Sequence, residues 1–135
     1  MNMGKHQRRA TRVPNDTDPG IISKVPVDIL IRTICNWNNI EPADLLSGSR
    51  KSDVREAKNL IAYFLTLREE LFLFRICKLT GHKNHASVIH ARNLVEDLMD
   101  VYPMYKCNLK LMFETLNLYT KKRVTHDFNI LKRAV

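Results

Sequence analysis

Apolar residues recur along this chain at intervals of three and four, the period of helices that bury one face. From Pro26 onward Ile29, Leu30, Ile34 and Trp37 follow that period, and Asn38-Asn39 predicts the end of the segment. Glu41-Pro42 predicts a short helix to about Leu46, because proline suits a first helical turn. After a loop at Ser47-Gly48-Ser49, Ser52 is the expected N-cap of a long helix over residues 53–67. Its stripe is Val54, Ala57, Leu60, Ile61 and Phe64. A shorter helix over residues 70–79 leads to a turn at Thr80-Gly81. Asn84 is expected to cap the next helix, which runs to about Tyr102 with Val88, Val95, Leu98 and Tyr102 facing inward. Pro103 ends it and opens another, to about Lys121, through Leu109, Met112, Phe113 and Leu116. Strong strand signals are absent, so the predicted fold is all-α, a helical bundle of about six helices.

The flanks read differently. Residues 1–20 hold two of the four glycines, two prolines and few apolar side chains, so residues 1–24 are predicted to be a flexible basic arm. Lys5, Arg8, Arg9 and Arg12 on that arm could reach along phosphates. Residues 25–121 form the predicted domain, and residues 122–135 a basic tail for which no structure is predicted.

With 135 residues the chain suits one domain, and 44% apolar residues supply a core. The formal net charge of +8 points toward polyanions such as nucleic acid. Cys35, Cys77 and Cys107 show no CxxC spacing and read as small core residues rather than a disulfide frame or zinc site. The most apolar run is interrupted by Arg68, Glu69 and Glu70, so no membrane span is predicted, and a soluble cytoplasmic protein is expected.

The stretch GHKNHASVIHAR, residues 81–92, concentrates three histidines, Lys83 and Arg92 without an acid. A helix, a glycine turn and a longer helix over residues 70–102 is the plan of a helix-turn-helix, whose second helix enters the major groove by its first turn. That turn would present Lys83, Asn84, His85, Ala86 and Ser87, with His90 one turn on. Between Leu71 and Val95 there is no Asp or Glu, while Arg75, Lys78, Lys83 and Arg92 supply positive charge. A helix N-terminus adds free N–H groups that attract phosphate. Metal binding fits poorly, because His85 and His90, five residues apart, stand about 140° apart around a helix. Catalysis fits poorly too, since no local carboxylate could orient a histidine. No enzyme activity, metal or cofactor is expected. His90 is expected to be half-buried and structural, and His85 exposed.

These residues resemble the C-terminal DNA-binding domain of the DnaA family, a helix-turn-helix of the tryptophan-repressor-like kind. The family signature GGRDHTTVLHA is matched in register by GHKNHASVIHA at residues 81–91. Upstream, IEPADLLSGSRK and DVREAKNLIAYF fall where the family has a DLLS stretch with a basic loop, then a helix like EIVxARQIAMYF. The resemblance implies that Arg50 or Lys51 enters the minor groove, that Lys58 contacts backbone, and that Lys83, Asn84, His85, Ala86 and Ser87 read the major groove. His85 keeps the family residue and Ser87 a hydroxyl. Lys83, Asn84 and Ala86 depart from Arg, Asp and Thr, which alters the bases read. Asn84 could pair with adenine if its side chain were not committed to capping. No GxxxxGK[ST] phosphate loop occurs, so a stand-alone DNA-binding module without an ATPase domain is expected, possessing a replication-accessory or regulatory role.

The competing expectation is a protein-interaction module that retains the fold without DNA specificity. Phe72 and Phe74 stand where the family tends to have Ser and Pro, on a segment that is apolar nearly all round. They would serve a homodimer or a protein partner.

Overall fold

The computed structural model describes residues 9–68 and 70–120. Among these residues five α-helices follow in order: α1 (Val27–Trp37), α2 (Ser52–Thr66), α3 (Leu73–Thr80), α4 (His85–Val101) and α5 (Pro103–Asn117). Three 3-10 segments, Pro19–Lys24, Pro42–Leu46 and Leu118–Thr120, complete the described chain. No strand occurs among the described residues, and the fold is all-α. The helix predicted at Glu41-Pro42 is one of the 3-10 segments. No described helix is long and apolar enough to cross a membrane.

Helix α2 is the axis of the core. Val54, Ala57, Leu60, Ile61 and Phe64 are buried as the stripe predicts, and from Ile61 to Thr66 every residue is buried. A helix closed off on all faces must be surrounded, and α4, α3, α1 and Pro42–Leu46 all pack on it. Phe64 meets Tyr63 and Phe113 edge-on, at centroid separations of 5.3 and 5.0 Å, the geometry their ring quadrupoles favour. Leu109, Met112, Phe113 and Leu116 of α5 close the far side.

Several boundaries differ from the pattern. Helix α2 starts at Ser52 itself, with Lys51 in the cap position and no side-chain cap. Helix α3 starts at Leu73, three residues later than predicted, because the Leu71 N–H donates to the Arg68 carbonyl in a turn ahead of it. Arg68 holds that turn, its guanidinium donating to the carbonyls of Val25 and Ile22. Tyr102 is 56% exposed rather than inward. It adopts extended backbone between α4 and α5 (φ −114°, ψ 109°), so the helical period no longer sets its direction. Cys107 is exposed, whereas Cys35 and Cys77 are buried. Two residues before Leu109, it lies about 200° from that buried position around α5.

The larger correction concerns the predicted arm. Lys5 and Arg8 lie outside the described residues, as does the tail from 122. Residues 9–24, however, are bound to the helices rather than free. Arg9 grips Glu96 of α4 through both carboxylate oxygens, at 2.6 and 3.1 Å. The Arg12 amide donates to the same carboxylate at 2.7 Å, and the Arg12 guanidinium pairs with Asp100 at 2.8 Å. The Tyr63 hydroxyl donates to the Arg12 carbonyl at 2.5 Å. Ile22 and Val25 then enter the core fully buried. Glu96 is only 1% exposed, and such a carboxylate is retained when its charge is paired and hydrogen-bonded. Arg92, expected among the phosphate-facing cations, is 4% exposed and donates to the Arg9 carbonyl and to Asn93. It therefore belongs to this clasp.

Candidate nucleic-acid interface

The site is built on the turn between α3 and α4. Gly81 ends α3 in the left-handed region at φ +82°, its N–H donating to the Cys77 carbonyl. A Cβ at this position would lie 2.7 Å from the Leu45 carbonyl oxygen. Glycine is thus required twice, by backbone angle and by the close approach of Pro42–Leu46. That approach ties the loop carrying Arg50 and Lys51 to the helix-turn-helix.

Helix α4 then starts at its expected cap. The Asn84 side-chain oxygen accepts from the Ser87 N–H at 2.9 Å and from the Ser87 hydroxyl at 3.1 Å. The adenine pairing considered for Asn84 needs that oxygen as an acceptor, so in this structure the condition for it is not met. Lys83, Asn84, His85 and Ala86 are exposed, and Ser87 is half-buried. His90 is exposed, contrary to the half-buried role expected for it. Among the described histidines the half-buried one is His82. Its burial, with the neighbouring Lys58 charge, holds the ring's pKa below the usual histidine value.

Two adjoining depressions define the face. One, between the first turns of α2 and α4, is lined by Arg55, Lys58, Asn59, His82, Asn84, Ala86, Ser87 and His90. The other holds Phe74, Lys78, Lys83 and His85, with His82 and Asn84 common to both. Among the described residues no carboxylate lines either one. Seven of the nine sequence-predicted site residues therefore gather here, all but Arg50 and Lys51, which are exposed on the loop just before α2. Arg55, Asn59 and His82 are additions. Arg55 was legible in principle, since it precedes Lys58 by three residues and shares its helix face.

The sequence pattern of the bacterial dnaA protein helix-turn-helix matches residues 27–95, from the start of α1 through most of α4. The chain belongs to this family. Membership implies DNA binding. The chromosomal replication initiator protein DnaA of Bacteroides fragilis is 27% identical over 99 residues, covering 73% of this chain and 20% of the relative. That of Bacteroides thetaiotaomicron is 24% identical over 86 residues, 64% of this chain and 18% of the relative. That of Gloeobacter violaceus is 26% identical over 78 residues, 58% of this chain and 18% of the relative. The chain thus spans about a fifth of the length of the curated relatives it matches. The family match stops at Val95, one residue short of Glu96, and excludes the Arg9–Arg12 clasp.

Proposed function

We propose that this chain binds duplex DNA sequence-specifically, with the first turn of α4 in the major groove and the Arg50-Lys51 loop on the minor groove. Lys83, His85, Ala86 and Ser87 meet base edges, Asn84 caps the helix that carries them, and Lys58 and His90 face the backbone. The observation that carries the reading is the carboxylate-free face on which Lys58 of α2 meets the N-terminal turn of α4. There an anion meets both side-chain charge and free helix N–H groups. The initiator relatives support a role beside replication or in regulation, in the cytoplasm. Selection of bound duplexes from a random pool tests the claim: a consensus is expected, and recovery of unrelated sequences at equal frequency would refute specificity.

Lys58→Ala and Lys83→Ala should differ in kind. Loss of a backbone contact weakens all duplexes alike, whereas loss of a base contact costs about 1–3 kcal/mol on the preferred sequence only. Binding of consensus and scrambled duplexes to both variants separates the two. A changed preference in Lys58→Ala, with none in Lys83→Ala, would reverse the assignment.

A second reading, a protein partner or second copy seated on α3, is favoured by the exposure of Phe72 and Phe74, at 75% and 61%. Light scattering over a concentration series tests self-association.

A further inference from the structure

His82 is the histidine whose surroundings are most constrained. The Thr80 hydroxyl donates its hydrogen to the Ile76 carbonyl at 2.9 Å. The same oxygen lies 2.6 Å from Nδ1 of His82 and, with its hydrogen on Ile76, can accept one from Nδ1. In that tautomer Nε2 of the neutral ring is bare and is the nitrogen left to titrate.

Every charged or titratable group lining the two depressions beside His82 is cationic, basic or a thiol. From α2 come Arg55 and Lys58, from α3 Lys78 and the Cys77 thiol, and from the turn and α4 come Lys83, His85 and His90. Among the described residues no carboxylate lining the depressions compensates them. Burial and the Lys58 charge both act against a second proton on the ring. The charge missing from this arrangement is an anion.

We propose that the depression between α2 and α4 is a phosphate subsite in which Arg55 and His82 join Lys58 on one DNA backbone phosphate, and that filling it draws a proton onto His82. The proposal rests on the duplex-binding reading and adds two residues and a proton to it. Solvent supplies the proton to Nε2, which then donates to a phosphate oxygen, while Nδ1 keeps its bond to Thr80. The sign follows directly: DNA affinity rises as pH falls through the histidine range. The free protein behaves oppositely, because a ring with a depressed pKa lowers folded-state stability as pH falls through the same window.

The test is duplex binding by fluorescence anisotropy between pH 6 and 8 at fixed salt. Wild type should bind severalfold tighter at pH 6 than at pH 8, since a ring pKa raised by one unit on binding is worth at most about tenfold in Kd, reached only below the free ring's pKa. His82→Gln should flatten that profile, whereas Lys110→Ala on α5, away from the face, should keep it. Arg55→Ala should reduce the slope of log K against log salt by about 0.9, the loss of one phosphate. In parallel, NMR titration of the His82 ring should show its pKa rising when inorganic phosphate is added. This readout needs neither DNA nor a variant that folds. A ring pKa indifferent to phosphate, or a pH profile unchanged in His82→Gln, overturns the subsite. Absence of duplex binding with a phosphate-responsive ring would instead reject the DNA reading and keep the subsite.

Discussion

Gly81→Ala is expected to destabilise the protein by about 2–4 kcal/mol and to weaken DNA binding by more than its loss of folded molecules explains. A non-glycine residue in the left-handed region costs about 1–2 kcal/mol. The added methyl would also sit 2.7 Å from the Leu45 carbonyl oxygen, and that neighbour is backbone, which cannot turn aside as a side chain would. Overpacking of this kind typically costs about 1–3 kcal/mol. Relief requires Pro42–Leu46 to move away from the turn, and the Arg50-Lys51 loop moves with it. Denaturant unfolding checks the first part, and duplex affinity measured where the variant remains folded checks the second. Unfolding within 0.5 kcal/mol of wild type would mean that the turn does not hold these segments together.

Glu96→Ala should cost about 2–3 kcal/mol, somewhat below the 3–5 kcal/mol usual when a buried pair loses one partner. The discount follows from exposure: the Glu96 side chain is 2% exposed, but Arg9 and Arg12 are about half exposed and can rehydrate. Burial by itself would raise the Glu96 pKa. The Arg9 hydrogen bond, the Arg12 amide and both guanidinium charges outweigh it, holding the carboxyl below its ordinary value. A depressed carboxyl contributes stability above its unfolded pKa, which is lost as pH falls through the folded value. Wild type should accordingly lose stability on acidification below about pH 4.5, and Glu96→Ala should lose less over the same interval. Thermal melts across that range decide the matter. Twelve residues separate Asn84 from Glu96, about 18 Å along α4, so duplex affinity of the folded variant should change little.

The helices were legible because their information is local. Leu30 and Ile34, or Leu109, Met112, Phe113 and Leu116, are spaced so that only a helix puts them on one side, and all are buried. The turn was legible for the same reason, since Gly81 meets a left-handed backbone and the Asn84 side chain caps the Ser87 N–H three residues on. What escaped the sequence was non-local. Arg9 and Glu96 stand 87 residues apart, and nothing in a run of arginines and prolines distinguishes a free arm from a clasp that awaits a buried carboxylate. Arg92 went astray with them, counted by charge as a surface cation although its bond to the Arg9 carbonyl draws it inward. The candidate face was legible as a motif, and Arg55 by its spacing from Lys58, but that His82 and Arg55 line one depression appears only once α2 lies beside α4.

Duplex binding through this face is tested most directly by the salt dependence of affinity, in wild type and in single charge variants. Each neutralised phosphate releases counterions, so about six contacts give log K falling with log salt at a slope near −5. Net charge elsewhere on the surface could also produce a slope, and the variants separate the two sources. Lys58→Ala should reduce the slope by about one, whereas Lys110→Ala on α5 should leave it unchanged. A slope near zero, or one lowered by Lys110→Ala and not by Lys58→Ala, would contradict the account.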